Sequence, residues 1–344
     1  MTKNLNNNIF GIPSKYEDST IIYIPVPWEA TTSYGGGTAK GPNAINKASV
    51  QLDLYDCDVD KPFEQGLYLL SEDKDIVQWN EISKNLVTHV IQSLDRGTDD
   101  TDETREHQKQ VNHYSQKINK YVYEKSKEIL QDNKIVSVIG GDHSVPLGAF
   151  KAIGENYPSF GILHFDAHCD SRNAYQGFEY SHASIMYNAL EEIPNLTKLV
   201  QVGIRDFCEE ELNYNKSQGG RVISYFDSYL QNEKFTGKNW DKTCHEIIQN
   251  LPDNVWVSFD IDGLDPYLCP NTGTPVPGGL SFQEASHLLK TLAHSGKKII
   301  GFDLCEVSPG NNEWDANVGM RLLYKLSAWT LLSQGKAKAN TINP

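Results

Sequence analysis

FGILHFDAHCD, residues Phe160–Asp170, joins a nearly unbroken apolar run to a cluster of carboxylates and imidazoles, and both halves bear on the fold. Only His164 interrupts the run from Phe160 to Phe165, as suits a strand covered on both faces, the kind parallel sheets use. Side chains of an extended chain alternate faces, so Asp166, His168 and Asp170 are expected on one side. Ligand-binding groups of an open parallel sheet stand just past the carboxyl ends of its strands.

Seven further runs rich in Val, Ile and aromatics share this character: Thr20 to Val26, Gly66 to Leu70, Ile135 to Ile139, Leu199 to Val202, Val222 to Phe226, Val255 to Phe259 and Ile299 to Phe302. Helix-period stretches such as Trp240 to Leu251 and Ser281 to Ser295 lie between them, the βαβ alternation of a parallel sheet. One region breaks the rhythm. Ser71 to Lys134 is strongly polar, with Gly97 as its single glycine and no proline. It predicts two helices, about Asp75 to Leu94 and Thr104 to Gln131, parted by the acidic stretch Asp99 to Glu103. A peripheral hairpin or a subunit contact is expected there in preference to a substrate lid. The whole chain, 1–344, is expected to be one domain with a helical insertion at about 71–134, fraying over its first ~15 and last ~10 residues.

Composition narrows the function. Thirty-one Lys and Arg against 45 Asp and Glu give a formal charge of −14, the wrong sign for a phosphate-backbone binder, so no nucleic-acid partner is expected. No run of 18 apolar residues and no apolar leader is readable, so neither membrane nor export is expected. Six scattered cysteines without a close CxxC pair suggest reduced thiols and a cytoplasmic setting.

Four segments carry the chemistry, each just beyond a predicted strand. In Gly140-Gly141-Asp142-His143-Ser144 two glycines let the backbone turn and deliver His143 to the sheet edge. Asp166, His168 and Asp170 follow the next strand. Asp260 and Asp262 repeat the spacing of two in SFDIDGLDP, where Asp265 before Pro266 suits a turn. Converging carboxylates repel or lose solvation unless a cation sits among them. Four of them carry about four negative charges, which two divalent ions neutralise and one does not; mostly oxygen donors with some imidazole suit Mn²⁺, whereas structural zinc favours thiolates. Glu306, in Cys305-Glu306-Val307-Ser308-Pro309, emerges where a carboxylate can pair with a planar guanidinium.

These segments resemble, in order, the motifs of the ureohydrolase (arginase/agmatinase) family: GGDHS at 140–144, DAHCD at 166–170, SFDIDGLDP at 258–266, TGTPVPGGLS at 272–281 and EVSP at 306–309. The resemblance implies a three-layer α/β/α fold around an eight-stranded parallel sheet, assembled as a homotrimer or homohexamer. It implies two Mn²⁺ per chain, with Ni²⁺ an alternative. His143, Asp166, Asp170 and Asp260 would hold one ion and Asp166, His168, Asp260 and Asp262 the other. The ions would acidify a shared water that attacks the guanidinium carbon. Glu306 would orient a small cationic guanidino substrate. His182, in Tyr180-Ser181-His182-Ala183, matches the family histidine that passes a proton to the leaving amine, although Ala183 stands where glycine is common. The loop Thr272 to Gly279 is expected to be a structural turn.

The substrate is less determined. Arg172 and Cys208 occupy positions where arginases carry an Asn and an Asp that meet the amino acid. Glu179, three residues before His182, matches agmatinases, so hydrolysis of agmatine to putrescine and urea leads. Arg172 would repel an ammonium tail and suits a carboxylate or a tail-less substrate. Guanidine hydrolase activity, with Phe178 and Tyr180 closing a small pocket, stays open, as do arginase and formiminoglutamase activities. A non-catalytic metal-binding relative and a single-zinc deacetylase of related fold are the alternatives of other classes.

Overall fold

The computed structural model describes residues 8–32, 36–97 and 101–340. Its strands are β1 (Ile21–Val26), β2 (Val59–Asp60), β3 (Leu67–Leu69), β4 (Ile135–Gly140), β5 (Phe160–Phe165), β6 (Leu196–Ile204), β7 (Val222–Phe226), β8 (Asn254–Asp260), β9 (Lys298–Cys305) and β10 (Lys338–Ala339). Its helices are α1 (Gly41–Ser49), α2 (Lys74–Asp95), α3 (Asp102–Gln131), α4 (Leu147–Asn156), α5 (Ile185–Glu192), α6 (Glu209–Ser217), α7 (Asp227–Phe235), α8 (Trp240–Gln249), α9 (Phe282–His294) and α10 (Trp314–Ser333). All eight apolar runs became strands of one sheet, in the order β3-β1-β4-β9-β8-β5-β6-β7, with every pair parallel.

The near-continuous apolarity of these strands has a direct cause: each face of the sheet is covered by helices. In β1, Ile21 and Tyr23 point into a core shared with Ile45 of α1, Ile247 of α8, Leu288 of α9 and Leu322 of α10. Ile22 and Ile24 point the other way, into a core with Ile118 of α3, Phe150 of α4 and Ile185 of α5. Burying one such side chain stabilises by ~1.5–3 kcal/mol, so a polar residue tolerated inside these strands needs a specific partner.

The polar stretch forms the two expected helices. Asp73 caps α2 by accepting from the Asp75 N–H, and Thr101 caps α3 by accepting from the Thr104 N–H. Asp102 and Glu103 fall in the first turn of α3, where negative charge suits the helix dipole; Asp99 and Asp100 lie outside the described residues.

The expectation of frayed ends fails where it can be examined. Ile9 and Phe10 are buried, with the Phe10 ring 5.1 Å from Tyr324 and 6.4 Å from Tyr23. Near the other end, β10 pairs antiparallel with β2, Lys338 opposite Asp60. Apolar side chains and a ladder, neither legible from position in the chain, tie both segments down.

Candidate metal centre

Strands β4, β9, β8 and β5 are neighbours at the centre of the sheet, and their carboxyl ends deliver the four predicted segments to one place. His143 follows β4, Asp166 follows β5, Asp260 ends β8 and Glu306 follows β9. The first turn is built by close approach. Neither Gly140 nor Gly141 has a positive φ, but a Cβ on Gly141 would strike the Trp28 carbonyl, because the Gly141 and Asp142 N–H groups donate to Val26 and Trp28. The glycines therefore let the chain turn by allowing this close approach, without left-handed backbone.

His143 Nδ1 faces three carboxylate oxygens, 3.1 Å from Asp166 Oδ2, 3.3 Å from Asp170 Oδ2 and 3.4 Å from Asp260 Oδ2. His168 Nδ1 faces two more, 3.3 Å from Asp166 Oδ1 and 3.2 Å from Asp262 Oδ2. All six predicted metal ligands thus converge. Simple strand alternation does not explain it, since Asp170 has φ +51° and reaches His143 by leaving the extended path. At the third site the Asp262 N–H donates to Asp260 Oδ1 at 2.8 Å and the Ala167 N–H to Asp262 Oδ1 at 3.0 Å, which fixes the Asp262 carboxylate beside His168. Asp265 accepts from the Tyr267 N–H, the turn role expected of it.

The electrostatics call for cations. Burial and the neighbouring Asp166 charge push Asp170 up to about 7, and burial with Asp262 and Asp166 raises Asp260 well above the carboxylate range. Burial opposes charge on His143, yet the carboxylates of Asp166, Asp170 and Asp260 outweigh it and raise its pKa well above that of an ordinary imidazole. Burial likewise opposes charge on His168, where Asp262 and Asp166 win. Among the described residues no lysine or arginine forms an ion pair with Asp166, Asp170, Asp260 or Asp262, so the set of four carboxylates and two imidazoles fits two divalent ions.

Glu306 stands beside this cluster with φ +63°. Its Oε1 accepts from the His143 N–H at 3.0 Å, while Oε2 is buried without a hydrogen-bond partner. Burial and the charges of Asp260 and Asp142 raise its pKa well above normal. An acceptor left open beside a metal cluster fits a substrate N–H.

A cavity of about 410 Å³ opens from the cluster, lined by His168, Asp170, Arg172, Tyr175, His182, Ala183, Asp206, Glu211 and residues 273–276. His182 lies on its wall. Its N–H donates to Thr31 Oγ1 at 3.1 Å, and burial together with the His168 charge lowers its pKa to about 4. Thr31 also donates to Asp142 Oδ2 at 3.2 Å, so the segment after β1 ties His182 to the His143 turn.

Several expectations about the tail pocket need correction. Glu179 is exposed and does not line the cavity; its N–H donates to Asn112 Oδ1 and its carbonyl accepts from Asn188. Phe178 is buried against Val87, Val90 and Val111 of the helical hairpin, and Tyr180 lines a different cleft with Lys151. The aromatic on the cavity is Tyr175. Residues 273–276 line the cavity as well, so the loop from Thr272 to Gly279 is more than a structural turn. Arg172 does reach the cavity, stacked with Cζ 4.8 Å from the Tyr175 ring centroid and Nε 3.4 Å from Glu211.

Other residues were missed. His164 Nε2 lies 2.8 Å from Asp166 Oδ2, and Ser258 Oγ lies 2.9 Å from His143 Nε2 while donating to Asp303 Oδ1 at 3.0 Å. Asp303 also accepts from Trp256 Nε1 at 2.6 Å. A signal for all three existed: each is a polar residue inside an otherwise apolar strand, on the face of the residue two places on. Asp206 and Glu211, which start the connection after β6, carried no comparable pattern.

A sequence profile described as the arginase family matches residues 19–328. The chain belongs to the arginase family. Curated relatives include an N(1)-aminopropylagmatine ureohydrolase of Thermus thermophilus, 30% identical over 311 residues that cover 90% of this chain and 89% of the relative. The agmatinase of Halalkalibacterium halodurans is 30% identical over 297 residues, 86% of each chain, and the guanidinobutyrase of Pseudomonas aeruginosa is 28% identical over 324, covering 91% and 87%. The agmatine ureohydrolase of Thermoplasma volcanium shares the fold, with TM-score 0.71, 23% identity and coverage of 94% and 93%. As an arginase-family member this protein is a hydrolase of amidine C–N bonds that releases urea at a binuclear metal centre. Among the described residues no helix is long and apolar enough to cross a membrane.

Proposed function

We propose that this hydrolase acts on a guanidino compound with an aliphatic tail, agmatine first, and yields urea and the corresponding amine, with two Mn²⁺ per chain and Ni²⁺ as the alternative. The observation that carries the proposal is the open Oε2 of Glu306 beside the His143, Asp166, Asp170 and Asp260 convergence. His143, Asp166, Asp170 and Asp260 would hold one ion; Asp166, His168, Asp260 and Asp262 the other. The bound ions supply an acidified water able to attack the guanidinium carbon.

The protein's own groups do the rest. Glu306 Oε1 is fixed by the His143 N–H, which aims Oε2 at a substrate N–H and sets the plane of the guanidinium. His182, neutral at ordinary pH because burial and the His168 charge disfavour its protonation, would take the proton that the attacking water loses and pass it to the departing amine nitrogen as the C–N bond breaks. Ser258, held by Asp303, fixes the His143 imidazole, and Thr31 holds the backbone N–H of His182. Pairing with Glu211 offsets the Arg172 charge, and Asp206 adds a negative one, so an ammonium tail can be accommodated.

A second substrate is favoured by one observation. No hydrogen bond joins Arg172 Nη1 or Nη2 to another described residue, which suits a carboxylate tail such as that of guanidinobutyrate. The cavity exceeds what free guanidine needs, and the aromatic pair invoked for that substrate lies elsewhere. The chain is further proposed to be one domain in a cytoplasmic homotrimer or homohexamer; six unpaired cysteines and the exposed Tyr267, Trp314 and Phe235 support this. Urea release should be measured over agmatine, guanidinobutyrate, arginine and guanidine with Mn²⁺ or Ni²⁺. A protein with two bound ions that releases urea from none of them refutes the proposal.

A further inference from the structure

We propose that the α2–α3 hairpin is a positioning device for the reaction, with Asn112 and Gln108 of α3 holding the loop that walls the substrate cavity. This rests on the urea-releasing function proposed above.

The loop runs between Asp170 and His182 without regular structure and contains left-handed backbone at Ala174 (φ +56°), Gln176 (φ +56°) and Gly177 (φ +84°). Ala and Gln adopt that region at a cost, so the loop needs partners outside itself to keep its shape. α3 supplies them. Gln108 Nε2 donates to the Gln176 carbonyl at 2.9 Å, and Asn112 Nδ2 donates to the Gly177 carbonyl at 3.1 Å. Asn112 Oδ1 accepts from the Glu179 N–H at 2.9 Å. Between these contacts the Phe178 ring plugs into Val87 and Val90 of α2 and Val111 of α3. The fit is close enough that a Cβ on Gly177 would strike the Gln108 side chain.

The same loop presents Arg172 and Tyr175 to the cavity, and the Tyr175 ring stands edge-on to His182 with centroids 6.1 Å apart. The hairpin therefore grips the outer side of a loop whose inner side meets the substrate. His182 has anchors of its own, since its N–H donates to Thr31 and the Ala183 carbonyl accepts from the Arg172 N–H. Releasing the loop should consequently disturb substrate binding more than proton transfer.

The test compares Asn112→Ala and Gln108→Ala in the full chain with Gln110→Ala, whose side-chain amide donates to Glu106 on the same helix. The two brace variants should raise KM about tenfold and change kcat less than about twofold, with two metal ions retained. Asn112→Asp keeps the acceptor for Glu179 but loses the donor to Gly177, and should fall between. Amide exchange over 174–180 should quicken in the brace variants and stay unchanged in the control. Wild-type KM and kcat in both brace variants, with or without a lower melting temperature, overturn the positioning role. If the wild type releases no urea from any guanidino compound, the proposed reaction fails instead. Exchange then decides the brace: faster exchange upholds it and unchanged exchange overturns it. Should Asn112→Ala not fold, the partly exposed Gln108 carries the same expectation.

Discussion

Replacing Glu306 by Gln separates what the site needs for catalysis from what it needs for stability. Glutamine keeps the volume and can still accept from the His143 N–H through Oε1, but it turns the open Oε2 into an N–H₂ donor facing the substrate's own donors. A charge-assisted bond to a guanidinium is lost and one donor pair is left facing another. Truncating one partner of a buried charge pair costs ~2–5 kcal/mol, and taking ~3–4 kcal/mol gives roughly a 10²–10³-fold fall in kcat/KM. Stability should move the other way. In the metal-free protein Glu306 is a buried carboxylate whose pKa burial, Asp260 and Asp142 raise, so its charge opposes folding at neutral pH. The Gln variant, stripped with chelator, should melt at or above the wild-type temperature. Metal content should be unchanged, because Glu306 is not among the six ligands. Steady-state urea assays, elemental analysis and thermal melts read the three quantities. A fall of less than about fivefold in kcat/KM, or one that tracks loss of metal, would refute the role given to Glu306.

Asp260→Ala should release both ions and abolish urea formation, read by metal stoichiometry; retention of two ions would remove Asp260 from the shared position. Ser258→Ala frees His143 Nε2 and should weaken metal affinity about 10–100-fold in a chelator competition, with little change in fold. Arg172→Ala leaves the Glu211 carboxylate uncompensated and should lower KM for agmatine about fivefold while raising it for guanidinobutyrate. Burial raises the Glu29 pKa, but Lys84 and the Ala39 and Gly37 N–H groups outweigh it and hold it below the ordinary 4.5. Its stabilisation is therefore present above the unfolded-state pKa and lost as pH falls through the lower folded value. Glu29→Gln should cost about 2 kcal/mol at pH 7, a melting shift of roughly 3 °C for a chain this long, and the difference from wild type should shrink as pH falls below the ordinary 4.5 and close only once it is below the folded-state value. A gap that persists at low pH would show that the charge is not its source.

Local patterns were legible because they depend on neighbours along the chain. Apolar runs gave all eight strands of the main sheet, and a long polar stretch with one glycine, no proline and an acidic break gave both helices of the hairpin. The residue types Asp166, His168, Asp170, Asp260 and Asp262 announced a cation site by their chemistry and spacing. The substrate side was read less well. Glu179, Phe178 and Tyr180 are close to His182 in sequence, yet the left-handed backbone at Ala174, Gln176 and Gly177 turns them away from the cavity and leaves Tyr175 there. A change of backbone hand is not carried by residue type when Ala and Gln adopt it.

Sequence by itself thus determined the strands, the ligand chemistry and the sign of the charge to be neutralised. Only the tertiary structure decided that β4, β9, β8 and β5 lie side by side in an order different from that of the chain. That order brings His143 within 3.4 Å of Asp260, although 117 residues separate them (260 − 143). Strand order follows from which helices cover which face and which edges pair, a non-local competition that no short window encodes. The same reason kept the role of the polar hairpin hidden, since its Asn112 and Gln108 meet the active-site loop only once both have packed on the sheet.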